Sequence, residues 1–167
     1  LPLLWTPNVA VAREVPGAFK AAIPGMLLFI ADGWIAAGFY FTWQIALFLS
    51  LGESFLAYGG ALAAAAFVGA LSGLALGRHL DRGDGARAVW LALSLVALVV
   101  VLRALAVDRA ALAVIANAFG SFAACLYIPT LMTALYNQAK RAPCPLRFQV
   151  AAEGGWDIGG ASGSLSA

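Results

Sequence analysis

Long apolar stretches divided by short polar or charged runs dominate the chain from residue 23 onward. A helix that crosses a hydrocarbon core of roughly 30 Å needs about 20 mostly apolar residues at about 1.5 Å rise each. Five segments meet that requirement, at about 23–49, 55–76, 88–107, 110–136 and 148–167. Strands of an outer-membrane barrel would instead alternate apolar and polar positions over about 10 residues. Neither Ala61–Leu76 nor Val89–Leu102 alternates in that way. The pattern therefore predicts an all-α integral membrane protein with five transmembrane helices. Residues 1–22, broken by Pro2, Pro7, Pro16 and Gly17, are too interrupted to span. With Trp5, Val9, Val11 and Val15 beside Arg13, Glu14 and Lys20, they suit a cytoplasmic surface segment or an interdomain linker.

Composition agrees with the pattern. Of 167 residues 11 % are charged and 63 % hydrophobic, against roughly 25 % charged in an ordinary soluble domain. A water-soluble globule could not cover so much apolar surface. The net charge of +2 comes from cations scattered along the chain, without the clustered basic face that nucleic acid requires. Cys125 and Cys144 form neither a disulfide framework nor a zinc spacing, and no cofactor or metal is expected. The chain opens on Leu1 and closes at Ala167 within a Gly/Ser/Ala-rich segment. It is read as part of a longer polypeptide whose remainder is a partner.

The cations set the orientation. Arg13 and Lys20 precede the first segment, Arg78, Arg82 and Arg87 join the second to the third, and Lys140, Arg141 and Arg147 join the fourth to the fifth. The opposite loops hold Arg109 alone. This asymmetry places the leader and the two cation-rich loops in the cytoplasm, with a bacterial inner (plasma) membrane as the expected location. Arg103, about a turn inside the far end of the third segment, is expected to snorkel to the headgroups or to form a buried ion pair.

Between the second and third segments the chain reads Gly77-Arg78-His79-Leu80-Asp81-Arg82-Gly83-Asp84-Gly85-Ala86-Arg87. This resembles the signature loop G-x-x-x-D-[RK]-x-G-[RK]-[RK] of the major facilitator superfamily (MFS). Gly77, Asp81 and Arg82 match in register; Asp84 then stands where glycine is expected, Gly85 comes one place late, and Arg87 is the only terminal cation. The resemblance implies an MFS-type six-helix half bundle, here five helices of the C-terminal half, belonging to a secondary active transporter. In that family such a loop is a conformational latch between two halves. Independently of the name, Asp81 could sit on the positive N-terminus of another helix, and Arg82 and Arg87 suit anionic headgroups or facing carboxylates. The bland alternative is a charged turn, with His79 a solvated loop residue. Asp81-x-x-Asp84-Gly85 also resembles the aspartate motif of membrane CDP-alcohol phosphotransferases, but Ala88–Leu102 lacks the second acidic pair that a metal site needs.

An ionisable group at mid-bilayer costs about 3 kcal/mol on insertion scales, which marks embedded carboxylates as functional candidates. Asp32 lies within the first segment, beside Gly33 and after Pro24-Gly25, where a helix interruption at a central cavity is expected. Glu153 and Asp157 are four apart on one face near the cytoplasmic start of the fifth. Like charges so placed repel and hold a proton between them, which makes the pair a candidate proton carrier, the alternative for Glu153 being contact with cytoplasmic water. Gln44, Asn117 and Thr133 add neutral polar groups that serve either a solute or interhelical packing. Pro129 suggests a kink, and Tyr40, Phe41 and Trp43 an interfacial belt.

Glycines recur every four residues at Gly69, Gly73 and Gly77 and at Gly155, Gly159 and Gly163. Such stripes allow close helix contact; the resemblance implies an interface with the opposite half, and ordinary packing within one bundle is the alternative. The expected function is alternating-access transport of a small solute, proton-coupled, with the lipid bilayer and the solute as partners and no enzymatic activity. A non-transport membrane bundle, a subunit or assembly factor, is the second reading.

Overall fold

The computed structural model describes residues 14–80 and 85–166. Helix α1 (Ala18–Ala37), a π-helical segment (Gly38–Thr42) and α2 (Trp43–Ser50) join into one rod of 33 residues. Helices α3 (Phe55–Leu80), α4 (Gly85–Ala106), α5 (Ala110–Arg141) and α6 (Pro145–Ser166) follow. Several helices extend beyond the apolar runs that hydropathy marks. Helix α1 starts at Ala18 behind Gly17, whose φ of +78° suits glycine, so Lys20 belongs to the helix rather than to a leader. Helix α5 continues five residues past Tyr136, to Arg141, because charged residues are no obstacle to a helix once it leaves the apolar layer.

Four helices, Ala18–Ser50, Phe55–Ala75, Arg87–Ala106 and Ala110–Arg141, are long and apolar enough to cross a membrane. Helix α6 has 22 residues, but its glycines, serines and two carboxylates keep it out of that set. Leu56 is 89 % exposed and Leu74 76 %, while Trp90 and Phe55 also point outward. Outward-facing bulk of this kind is what a lipid-facing bundle presents and a soluble one avoids.

Short connections force successive rods to run up and down. Gly52 and Glu53 turn the chain between α2 and α3 with φ of +68° and +58°. At the same end, the Asp108 amide donates to Ser50 Oγ at 3.2 Å, tying the α4–α5 turn to the end of α2. Helices α1 and α6, and likewise α3 and α5, consequently lie side by side in parallel.

The α1–α6 seam sets backbone against backbone. A Cβ on Gly155 would stand 2.6 Å from the Met26 carbonyl oxygen, one on Gly159 would fall on the Ile30 carbonyl, and one on Gly163 would meet Trp34 and Ala37. Gly33 answers from α1, against the backbone of Trp156 and Gly160. The constant step of four on both helices keeps the backbones close over more than two turns, an approach that small residues allow. The α6 stripe is therefore occupied within this chain, which departs from the interface with an opposite half that the resemblance implied. On α3, Gly69 makes ordinary contact with Ser121 of α5, and Gly73 faces open space.

Two apolar clusters fill the bundle. One joins Ala22 and Phe29 of α1 to Leu131, Leu135 and Ala139 of α5 and to Phe148 and Ala152 of α6. The other, toward the opposite end, joins Trp43 and Leu47 of α2 to Ala61 of α3, Ala106 of α4 and Ala113 and Ala116 of α5. Between them lies a polar level centred on Asp32.

A carboxylate and a cavity at mid-depth

Asp32 stands close to the midpoint of the rod Ala18–Ser50, and both of its oxygens are engaged. Tyr127 of α5 donates its hydroxyl to Oδ1 at 2.8 Å, and Trp156 of α6 donates Nε1 to Oδ2 at 3.0 Å. All three residues lie near the middle of their helices, far from the interfacial levels that Tyr and Trp normally occupy in a membrane. Each aromatic side chain brings an apolar body and one donor, so it packs in the bundle and still satisfies a carboxylate. Neutral donors stabilise the negative charge without cancelling it. Among the described residues no cation pairs with Asp32.

A cavity of about 190 Å³ opens against this group, lined by Asp32, Phe39, Val96, Tyr127, Met132 and Trp156 among others. Its walls come from α1, the π segment, α4, α5 and α6. Four helices thus converge on one carboxylate. The helix is not interrupted at Pro24-Gly25 or at Gly33, as the sequence suggested; it runs through Pro24 and departs from α geometry only at Gly38–Thr42. A single wider turn changes the angular register of the residues after it, and π segments recur at functional sites for that reason. Here it directs Phe39 into the bundle and leaves Phe41 outside, 64 % exposed, while Tyr40, 63 % exposed, borders the cavity mouth.

Trp43 departs from the expected interfacial belt. It is 4 % exposed, and its Nε1 donates to Asn117 Oδ1 at 3.0 Å. Asn117, also 4 % exposed, donates Nδ2 to the Ala61 carbonyl at 3.4 Å. Gln44 accepts the Tyr58 hydroxyl at 3.1 Å. Asn117 and Gln44 therefore serve here as links among α2, α3 and α5, and neither lines the Asp32 cavity. Thr133 is likewise outside its wall, and α5 runs through Pro129 as one helix.

Glu153 and Asp157 lie on the exposed face of α6. Glu153 accepts Gln149 Nε2 at 2.9 Å. Trp156, between them in sequence, is itself 38 % exposed and reaches across to Asp32 with its indole N–H. The structure thus separates the three embedded carboxylates into one inside the bundle and two on its flank. Of the expected latch loop, Gly77 lies in the last turns of α3, Gly85 opens α4 and Arg87 is exposed. Asp81, Arg82 and Asp84 lie outside the described residues. Among the described residues no three His, Cys, Asp or Glu side chains gather to hold a metal ion, and Cys125 and Cys144 are unbridged.

Tyr127 was not singled out by sequence. The available signal was its position, since a tyrosine in the centre of an apolar helix needs a buried partner for its hydroxyl. No family model, curated protein or solved structure matches the chain.

Proposed function

We propose that the chain forms part of an alternating-access transporter of the major facilitator type in a plasma membrane, with α6 as its fifth span and a small solute and protons as its traffic. The observation that carries the reading is the Asp32 carboxylate, held by Tyr127 and Trp156 on the wall of a mid-depth cavity. A carboxylate at that level costs about 3 kcal/mol to embed, so it calls for a role that rewards its charge. Binding a solute or a proton is such a role. The partial signature Gly77…Asp81-Arg82 in a cation-rich loop supports the same assignment.

The second reading is a non-transport membrane bundle, and the α1–α6 seam favours it. Backbones locked at the Gly155, Gly159 and Gly163 stripe resist relative movement of these two helices. The readings part on accessibility. Met132→Cys, in a background with Cys125 and Cys144 replaced, places a thiol on the cavity wall. In sealed vesicles, alternating access predicts labelling by a membrane-impermeant maleimide from either side, and reaction from neither side supports the static bundle.

A further inference from the structure

A second cavity, of about 570 Å³, shares Ile35 and Phe39 with the first and extends toward the end of α4. Its wall is mostly apolar, with Trp34, Ala46, Val100 and Val107, and it contains one cation, Arg103. The Arg103 guanidinium carbon lies 3.9 Å from the centre of the Phe39 ring and 4.8 Å from that of Trp43. The hydrogen bond from Trp43 to Asn117 fixes that ring, and the π segment carries Phe39 to its place. On α5, a Cβ at Gly120 would stand 2.7 Å from Nη2, so glycine makes room for the guanidinium.

Arg103 therefore does not reach out of the bundle, and among the described residues it pairs with no carboxylate, the two outcomes its sequence position suggested. The rings satisfy the faces of the cation but not its edge. Nε and Nη1 are buried with no acceptor. Buried donors without acceptors carry a desolvation cost, and a guanidinium fork is matched by the oxygens of a carboxylate or phosphate.

We propose that this cavity binds an anionic phospholipid, its phosphate on Arg103 and an acyl chain along the apolar wall. Arg103 stands about one turn before Ala106, where α4 ends, so the cation sits near headgroup depth in the leaflet opposite the cation-rich loops. A free phosphate would leave its remaining oxygens against apolar side chains, an unfavourable burial. A phospholipid brings hydrocarbon to those same walls. Rotation about the flexible stem of Arg103 turns the edge of the fork toward the incoming oxygens.

Trp34 and Trp43 line the cavity and report on it. The chain is reconstituted in phosphatidylcholine vesicles containing dibrominated phosphatidylglycerol or dibrominated phosphatidylcholine, and quenching of tryptophan fluorescence is followed against bromolipid fraction. The anionic bromolipid should quench at a several-fold lower fraction than the zwitterionic one. Arg103→Gln should remove that preference, and so should Ala104→Phe, which keeps the charge but fills the cavity and decides the matter if Arg103→Gln does not fold. Equal quenching by the two lipids in the unmodified chain, or a preference that survives Ala104→Phe, overturns the site. If millimolar inorganic phosphate displaces the anionic bromolipid, the site takes a free anion and the lipid assignment fails.

Discussion

Trp156 Nε1 and Asp32 Oδ2 meet at 3.0 Å across the α1–α6 seam, although 124 residues separate them in the chain. The bond depends on the glycines around it. Gly33, next to Asp32, packs on the backbone of Trp156 and Gly160, and Gly155 and Gly159 flank Trp156 against Met26 and Ile30. Close backbone approach thus brings a short aspartate within reach of an indole on the neighbouring helix. Larger residues along the seam would separate the pair as surely as mutating either partner.

Asp32 and Trp156 should be energetically coupled. Asp32→Asn turns a two-oxygen acceptor into one oxygen and one amide donor, so one of the two donors loses its partner. Trp156→Phe removes one donor and keeps most of the packing. A double-mutant cycle on unfolding in detergent should return a coupling of about 0.5–3 kcal/mol, the range for residues in one hydrogen-bond network. Strict additivity of the two single changes would mean that the bond contributes nothing to the bundle.

The two glycine stripes should respond differently to a single methyl group. At Gly159 the new Cβ falls on the Ile30 carbonyl, and neither backbone can yield without opening the seam. Gly159→Ala should therefore destabilise by about 1–3 kcal/mol, as overpacking does. Gly73 has nothing within 4 Å, so Gly73→Ala should be neutral or stabilising by up to about 1 kcal/mol through helix propensity. Thermal unfolding in detergent distinguishes the two, and equal effects would contradict the seam.

Hydropathy located the four helices long and apolar enough to span because a bilayer requires runs of a fixed length, and the turns at Gly52 and Asp108 fall where polarity interrupts those runs. It did not show which way a side chain points around a helix surrounded by lipid. With apolar residues on all faces, amphipathic periodicity carries little information, and Trp43 read as interfacial while it points into the bundle. Arg103 misled for a similar reason: its depth allowed an escape to the headgroups, and only the aromatic pair Phe39 and Trp43, with the gap at Gly120, draws it inward. Asp32 was legible as an embedded charge. Its partners were not, since Tyr127 and Trp156 are brought to it by tertiary packing alone.

The orientation expected from the cation asymmetry can be checked with single cysteines. In a background lacking Cys125 and Cys144, Lys140→Cys should react with a membrane-impermeant maleimide from the cytoplasmic side only, and Glu53→Cys from the other side only. Both positions are at helix ends: Lys140 in the last turn of α5, Glu53 in the turn between α2 and α3. Reaction of both from one side would contradict the alternating rods and the orientation together.

Asp157 provides the sharpest test of proton coupling. Its carboxylate lies on the exposed flank of α6, one turn from Glu153 and away from the Asp32 cavity. An uncompensated charge there costs about 3 kcal/mol at mid-bilayer unless water or another helix covers it. If this flank of α6 takes part in proton coupling, its charge biases the balance between inward- and outward-open states. Labelling of Met132→Cys from the two sides of sealed vesicles should then change in ratio between acidic and mildly alkaline buffers. Asp157→Asn should flatten that dependence while leaving labelling from both sides measurable, because the cavity and its Asp32 wall are untouched. Asp32→Asn should act differently, altering the cavity itself and with it the labelling at every pH. A ratio that responds to pH as strongly in Asp157→Asn as in the unmodified protein would remove Asp157 from coupling and leave it a surface carboxylate of α6.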